Sequence, residues 1–260
     1  MAQQETFIYG KHAVREAVKR NPDAIIEIFL TATFDDIETL KEIKNKQVNV
    51  TMLAEGKMPK GFMDSFSEKN SSVTHQGIIA KIHVSRLVGS YKDFIQNLES
   101  SGGINPETAL VVLGELQDPQ NVGAIIRSAA AFGIKAVLLP EHNYKQAQIT
   151  GTVVKVSAGT AFSIPLISIG NVNATLRDLK SKGFWIYGLD GEAEQSIVNE
   201  SFEAPSVFVL GNEAEGIRLK TQEECDILLS IPMTDKAESL NVSASAAVTF
   251  YAWRSKQKGI

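Results

Sequence analysis

A single cysteine, Cys225, excludes an internal disulfide and any multi-cysteine metal site in this chain of 260 residues. The four histidines are dispersed, with no metal-ligand spacing and no His-Asp-Ser arrangement, so no bound metal and no hydrolase triad are expected. Long hydrophobic runs are missing as well. Nothing approaches the length that crosses a bilayer, and the opening MAQQETF has no apolar signal core, so the expectation is a cytoplasmic protein with no membrane partner. Positive charge is not in surplus: 26 basic residues face 30 acidic ones, a net charge of −4, and any nucleic acid has to be met by local patches. There is no internal repeat, no low-complexity tract and no early G-x-G-x-x-G fingerprint of a dinucleotide fold.

What is present alternates between helix and strand signals. Residues 1–84 read as a small α/β domain: a helix from Gly10 to Arg20 stopped by Asn21-Pro22, a strand Ile25–Leu30, an amphipathic helix Asp35–Lys46, and strands Val48–Leu53 and Gly77–Val84. Met58 to Thr74 is rich in Gly, Ser, Lys and Asn and reads as a mobile loop or short helix. Residues 85–106 are expected to be a linker, with a short helix near Tyr91–Glu99 and the connector Ser100-Ser101-Gly102-Gly103-Ile104-Asn105-Pro106. From residue 107 to 260 strands and helices alternate again. Such alternation predicts an α/β fold with a mainly parallel sheet covered on both faces.

The chain is organised around Pro205 to Ser243. Val207–Leu210 is a short apolar run ending in the polar loop Gly211-Asn212-Glu213-Ala214-Glu215-Gly216. A second run, Ile227–Ile231, ends in the loop Pro232–Leu240, which feeds a helix of small residues starting near Asn241. Two strand ends that present polar loops beside a helix start are where open α/β sheets bind ligands. Glu213 and Glu215 would repel a phosphate, so the loop suits a neutral or cationic ligand, or is simply a solvated structural loop.

Between the first strand of this half, Ala109–Leu113, and its helix, Val122–Phe132, lies Asp118-Pro119-Gln120-Asn121, with Asn121 a candidate N-cap. On that helix Val122, Ile125, Ile126, Ala129 and Phe132 make a core face. Arg127 sits opposite, among Ala124, Ser128 and Ala131. It fits either a plain surface arginine or a cation that reaches into a second surface admitted by the small residues. Ser239 or Asn241 could cap the terminal helix, which is apolar on more than one side, as a helix covered by a partner subunit would be.

Asn121-x-Gly123-x-x-x-Arg127, then Leu210-Gly211-Asn212-Glu213-x-x-Gly216, then Ile231-Pro232-Met233 with Ser239-Leu240-Asn241-Val242-Ser243 resemble, in order and spacing, the three motifs of the SpoU (TrmH-like) RNA ribose 2′-O-methyltransferases. Tyr9-Gly10-x-x-Ala13-Val14 and His75-Gln76-Gly77-Ile78 resemble the small RNA-binding domain of the ribosomal-RNA branch. The resemblance implies a C-terminal SPOUT methyltransferase domain with a trefoil knot, an L30e-like N-terminal RNA-binding domain, and a homodimer. It implies S-adenosylmethionine held by Gly211, Ile231 and Leu240, and catalytic roles for Arg127, Asn121, Glu213, Ser239 and Asn241. The implied activity is methylation of a ribose 2′-hydroxyl in RNA, 23S ribosomal RNA first. A transfer-RNA enzyme and a catalytically silent RNA-binding protein of the same fold are the alternatives. Gln120 stands where many relatives carry His. A nucleotide-dependent α/β enzyme of another kind fits the missing glycine fingerprint and the acidic loop less well.

Overall fold

The first stretch of alternating signals folds into a four-stranded sheet. β1 (Glu5–Tyr9), α1 (Lys11–Arg20), β2 (Ile25–Thr31), α2 (Ile37–Asn45), β3 (Val50–Leu53) and β4 (Ile78–His83) follow in order, and the strands lie β1-β4-β2-β3. β4 runs antiparallel to β1 and β2, and β3 is parallel to β2. α1 begins behind Gly10, whose φ of 90° disfavours any side chain, and it buries Ala13, Val14, Ala17 and Val18. Phe7, Tyr9, Phe29 and Ile79 cluster around Phe62, whose ring meets Phe7 and Tyr9 edge-on at 5.6 and 5.9 Å. Phe62 belongs to the stretch read as a mobile loop or short helix, and it is fully buried; the polar residues around it conceal one apolar plug. This computed structural model describes residues 5–63, 74–141, 148–212 and 215–257.

The second sheet has eight strands: β5 (Val88–Ser90), β6 (Ala109–Leu113), β7 (Ala136–Pro140), β8 (Leu166–Ile169), β9 (Trp185–Leu189), β10 (Gln195–Ser196), β11 (Ser206–Leu210) and β12 (Ile227–Ser230). Their order is β10-β12-β9-β11-β6-β7-β8-β5, and the ladder from β10 through to β8 is parallel throughout. Helices α3 (Tyr91–Ser100), α4 (Pro119–Phe132), α5 (Gly151–Val156), α6 (Val172–Ser181), α7 (Leu219–Gln222) and α8 (Val242–Lys256) lie between and after these strands. β6, β7 and β11 are buried at every position, as parallel strands sandwiched between helices must be. Side chains alternate across the pleat of β11. Val207 and Val209 enter a core with Leu110, Leu138, Ile186 and Leu176, while Phe208 stacks with Tyr187 and meets Phe250 of α8. Removing the Phe208 ring from this second layer would cost about 3–5 kcal/mol.

The chain divides into two compact units, Met1–Val88 with Gln148–Ser163, and Gly89–Ala147 with Ile164–Ile260. The expected linker 85–106 is therefore not all linker. β5 adds to the large sheet, and Tyr91, Phe94, Ile95 and Leu98 of α3, at i, i+3, i+4 and i+7, pack on its core. The Ser/Gly tail that follows dominated the composition of that segment.

The stretch around α5, expected among the elements of the second half, belongs to the first unit instead. Gly151 N donates to Thr6 Oγ1 at 3.3 Å, and Lys155 Nζ lies 5.0 Å from the Tyr9 ring centre. A Cβ on Gly151 would sit 2.1 Å from the Phe7 carbonyl oxygen, so only glycine permits this approach.

Candidate active site

In a parallel ladder the carboxyl ends of the strands reach one edge, and β9, β11 and β12 are neighbours there. Their trailing loops and the start of α8 enclose a cleft. It is lined by Leu189, Asp190 and Gly191 after β9, by Leu210, Gly211, Asn212 and Gly216 after β11, by Ile231 and Met233 after β12, and by Glu238, Ser239, Leu240, Val242 and Ser245. Gly211, Ile231 and Leu240, the three residues assigned to a ligand from sequence, thus share one cavity. Asp190, Gly191 and Glu238 were missed. Their signal was available, since β9 ends in Asp190-Gly191 as the two motif strands end in polar loops.

The loop after β11 is held tightly. Asn212 and Gly216 exchange backbone hydrogen bonds of 2.9 and 3.0 Å, and a Cβ on Gly211 would lie 2.1 Å from the Gly216 carbonyl carbon. Asn212 Nδ2 donates to the Glu115 carbonyl at 3.0 Å, which ties this loop to the one preceding α4. Glu213 lies outside the described residues. On the β9 side, Gln222 Nε2 donates both to Asp190 Oδ2 at 3.3 Å and to the Ile217 carbonyl at 3.1 Å. The described residues lining the cleft include two acids and no lysine or arginine, so a bound cation is favoured and a pyrophosphate is not.

Asn121 and Asn241, 120 positions apart, meet: Asn241 Nδ2 donates to Asn121 Oδ1 at 3.0 Å. Asn241 is also the N-cap of α8, its Oδ1 accepting from Ser243 N at 2.9 Å and from Ser243 Oγ at 2.6 Å. The expected cap of α4 is corrected. Asp118 does that work, accepting from Gln120 N at 2.8 Å with Pro119 in the first turn, which leaves Asn121 buried inside the helix. A cap three residues earlier fits because proline is tolerated at the first helical position.

Arg127 does not line the cleft. It lies six residues beyond Asn121, about 9 Å along the axis and turned by about 120°, exposed to solvent. Among the described residues nothing pairs with it. α4 packs on α8, and Phe132 meets Tyr251 edge-on at 5.9 Å. The outer faces of the two helices carry Arg127 and Ala131 on one and Ala244, Val248 and Tyr251 on the other, with Tyr251 62% exposed.

Cys225 follows α7. It is partly buried against the core of the sheet, and burial pushes its thiol up to about 12. Among the described residues no three His, Cys, Asp or Glu side chains converge as metal ligands, and no helix is long and apolar enough to cross a membrane.

Two family profiles cover most of the chain. SpoU rRNA Methylase family matches residues 108–251, and RNA 2'-O ribose methyltransferase substrate binding matches residues 7–87. The 23S rRNA (guanosine-2'-O-)-methyltransferase RlmB of Xanthomonas axonopodis pv. citri is 35% identical over 257 residues, covering 96% of each chain. The protein of the same name from Neisseria meningitidis serogroup B is 34% identical over 93% of this chain and 91% of its own. The crystal structure of the SpoU methyltransferase AviRb from Streptomyces viridochromogenes in complex with the cofactor AdoMet has the same fold. It superposes with a TM-score of 0.76 at 18% identity over 97% of this chain and 90% of that one.

Proposed function

This chain belongs to the SpoU rRNA methylase family, and we propose from that premise that it transfers a methyl group from S-adenosylmethionine to the 2′-hydroxyl of a guanosine ribose in 23S ribosomal RNA, in the cytoplasm. The observation that carries the reading is the junction of two distant motifs, Asn241 on Asn121, where the neighbours of Asn241, Leu240 and Val242, line a cleft with no basic side chain among its described residues. Bound S-adenosylmethionine supplies an electrophilic methyl carbon on a sulfonium. Gly211, Ile231 and Leu240 hold it through their backbone, and Asp190 and Glu238 place negative charge at a cleft that takes a cation. The close packing at Gly211 leaves no room for a side chain, which is the fit such backbone contacts need.

A ribose hydroxyl is a weak nucleophile until it is aligned with the carbon it attacks, so positioning supplies much of the acceleration. Asn121, Asn241, Ser239 and Glu213 hold the ribose and the loops around it. An arginine stays protonated, so Arg127 acts as charge: it binds the neighbouring phosphate and stabilises the developing alkoxide. Because Arg127 does not line its own chain's cleft, it serves the cleft of a second copy. The small and apolar residues on the outer faces of α4 and α8 are the surface on which a homodimer forms. The first unit grips folded RNA, and a trefoil crossing of the chain through the loops after β11 and β12 belongs to the same reading.

Incubation of the protein with labelled S-adenosylmethionine and undermethylated ribosomal or transfer RNA, followed by mapping of 2′-O-methyl positions, tests this. A single methylated guanosine in 23S RNA is expected. Modification of transfer RNA alone would move the substrate, and cofactor binding with no transfer to any RNA would sink the enzyme reading.

A further inference from the structure

Leu210, Gly211, Asn212 and Gly216 form a wall with two sides. One side faces the cofactor cleft, and the other faces a smaller cleft lined by Gly114, Glu115, Ile217 and Arg218, with Leu210, Gly211, Asn212 and Gly216 shared between the two. On the outer side, Arg218 Nη2 lies 2.6 Å from both carboxylate oxygens of Glu115. The Glu115 side chain is only 14% exposed, and its backbone carbonyl receives the Asn212 amide. Glu115 holds φ at +61°, a conformation glycine takes at no steric cost, and Gly114 before it is seated on β11 by a 2.7 Å bond from its N to the Leu210 carbonyl. One residue therefore grips the wall twice, through its carboxylate at Arg218 and through its carbonyl at Asn212. The carboxylate contact at Arg218 stands outside the cleft that takes the cofactor, and the carbonyl contact holds Asn212, which lines it.

We infer that Glu115 and Arg218 form a latch that positions the wall of the cofactor cleft from behind, Glu115 being a positioning residue for S-adenosylmethionine that the three sequence motifs do not contain. The strain at Glu115 supports this, since a residue in a sparsely occupied region persists where its side chain contributes something glycine cannot. The Gln222 bridge from Ile217 to Asp190 fixes the same loop on its β9 side, so releasing the latch frees one side only. A partial loss of affinity follows, without collapse.

The inference rests on the methyltransferase reading, and titration calorimetry with S-adenosylmethionine separates the two. Four proteins are compared with wild type: Glu115→Gln, Glu115→Gly, Arg218→Glu, and Glu115→Arg combined with Arg218→Glu. The single variants should bind S-adenosylmethionine about three- to fivefold more weakly, the range of a partly exposed ion pair, while still unfolding cooperatively. The reversed pair should recover most of that loss. Glu115→Gly is decisive, because it keeps the backbone conformation and removes only the latch. Wild-type affinity in both Glu115 variants, or a reversed pair no better than Arg218→Glu alone, would overturn the latch. A wild-type protein that does not bind S-adenosylmethionine would instead overturn the functional reading beneath it.

Discussion

The two sheets solve different problems with similar residues. In the large sheet the parallel ladder brings the ends of β9, β11 and β12 to one edge, so the loops that follow three separate strands meet over one cleft. In the small sheet β4 runs against both its neighbours, which sends strand ends to opposite edges and gathers no such cluster. What the small sheet offers is a surface. β3 is an edge strand with Val50 and Met52 exposed, and ion pairs Lys11–Asp35, Arg15–Glu38 and Arg20–Glu16 lie around α1. The parallel arrangement suits a small ligand bound by backbone, and the antiparallel one suits a large partner bound by area. Perturbing either unit should therefore change one affinity and spare the other.

The largest effect is expected at the residues proposed to act on the ribose. Arg127→Ala and Asn241→Ala should each reduce turnover by roughly 10²–10³ while RNA still binds. Mixed by subunit exchange, the two inactive proteins should regain about a quarter of wild-type activity, because about half the dimers pair unlike subunits and each of those has one intact site of two. Continued inactivity in demonstrably mixed dimers would return Arg127 to its own chain's site.

Next in size is Gly211→Ala. Its new methyl has nowhere to go against the Gly216 and Ile217 backbone, and affinity for S-adenosylmethionine should fall by at least about tenfold at unchanged RNA affinity. A variant that binds the cofactor normally would show that the wall yields.

Gly151→Ala makes the reciprocal case. The added methyl meets the Phe7 carbonyl and should loosen the first unit, weakening RNA binding several-fold, with S-adenosylmethionine affinity unchanged. Equal losses of both affinities would mean that the units are not separable in this way.

The smallest effect is a null one with diagnostic use. With its thiol pushed up to about 12, Cys225 stays protonated and unreactive toward alkylating reagents at pH 8, and its alkylation rate reports on opening of the second unit alone. Gly151→Ala should leave that rate where it was. Rapid labelling at pH 8 would contradict the burial.

Much of this was legible in the sequence, for identifiable reasons. β6 appears with the bounds read for it, because the alternation of apolar runs with turn residues is a local signal. β5 and β10 are too short to carry such a signal, and β1 is masked by the polar residues that precede it. Asn121 looked like a cap because its residue type allows one. Only the tertiary position of Asp118 and the pairing with Asn241 show that the asparagine serves another end. Asp190 and Glu238 were overlooked because an isolated acid beside a turn is ordinary until two other strand ends arrive next to it. No local pattern could assign Gln148–Ser163 to the first unit, since that membership depends on contacts made across more than a hundred residues.

That last assignment bears on how the protein is born. A chain leaving the ribosome ordinarily completes its amino-terminal domain before the next has been made. Here the seat for α5 on β1 stays empty until Ser163 has emerged, by which time β5, β6 and β7 are already outside the exit tunnel. The first unit is thus finished late, with Phe7 and Tyr9 waiting through the synthesis of much of the second. A nascent chain stalled at residue 100 should be more sensitive to protease in its first unit than one stalled well past residue 163.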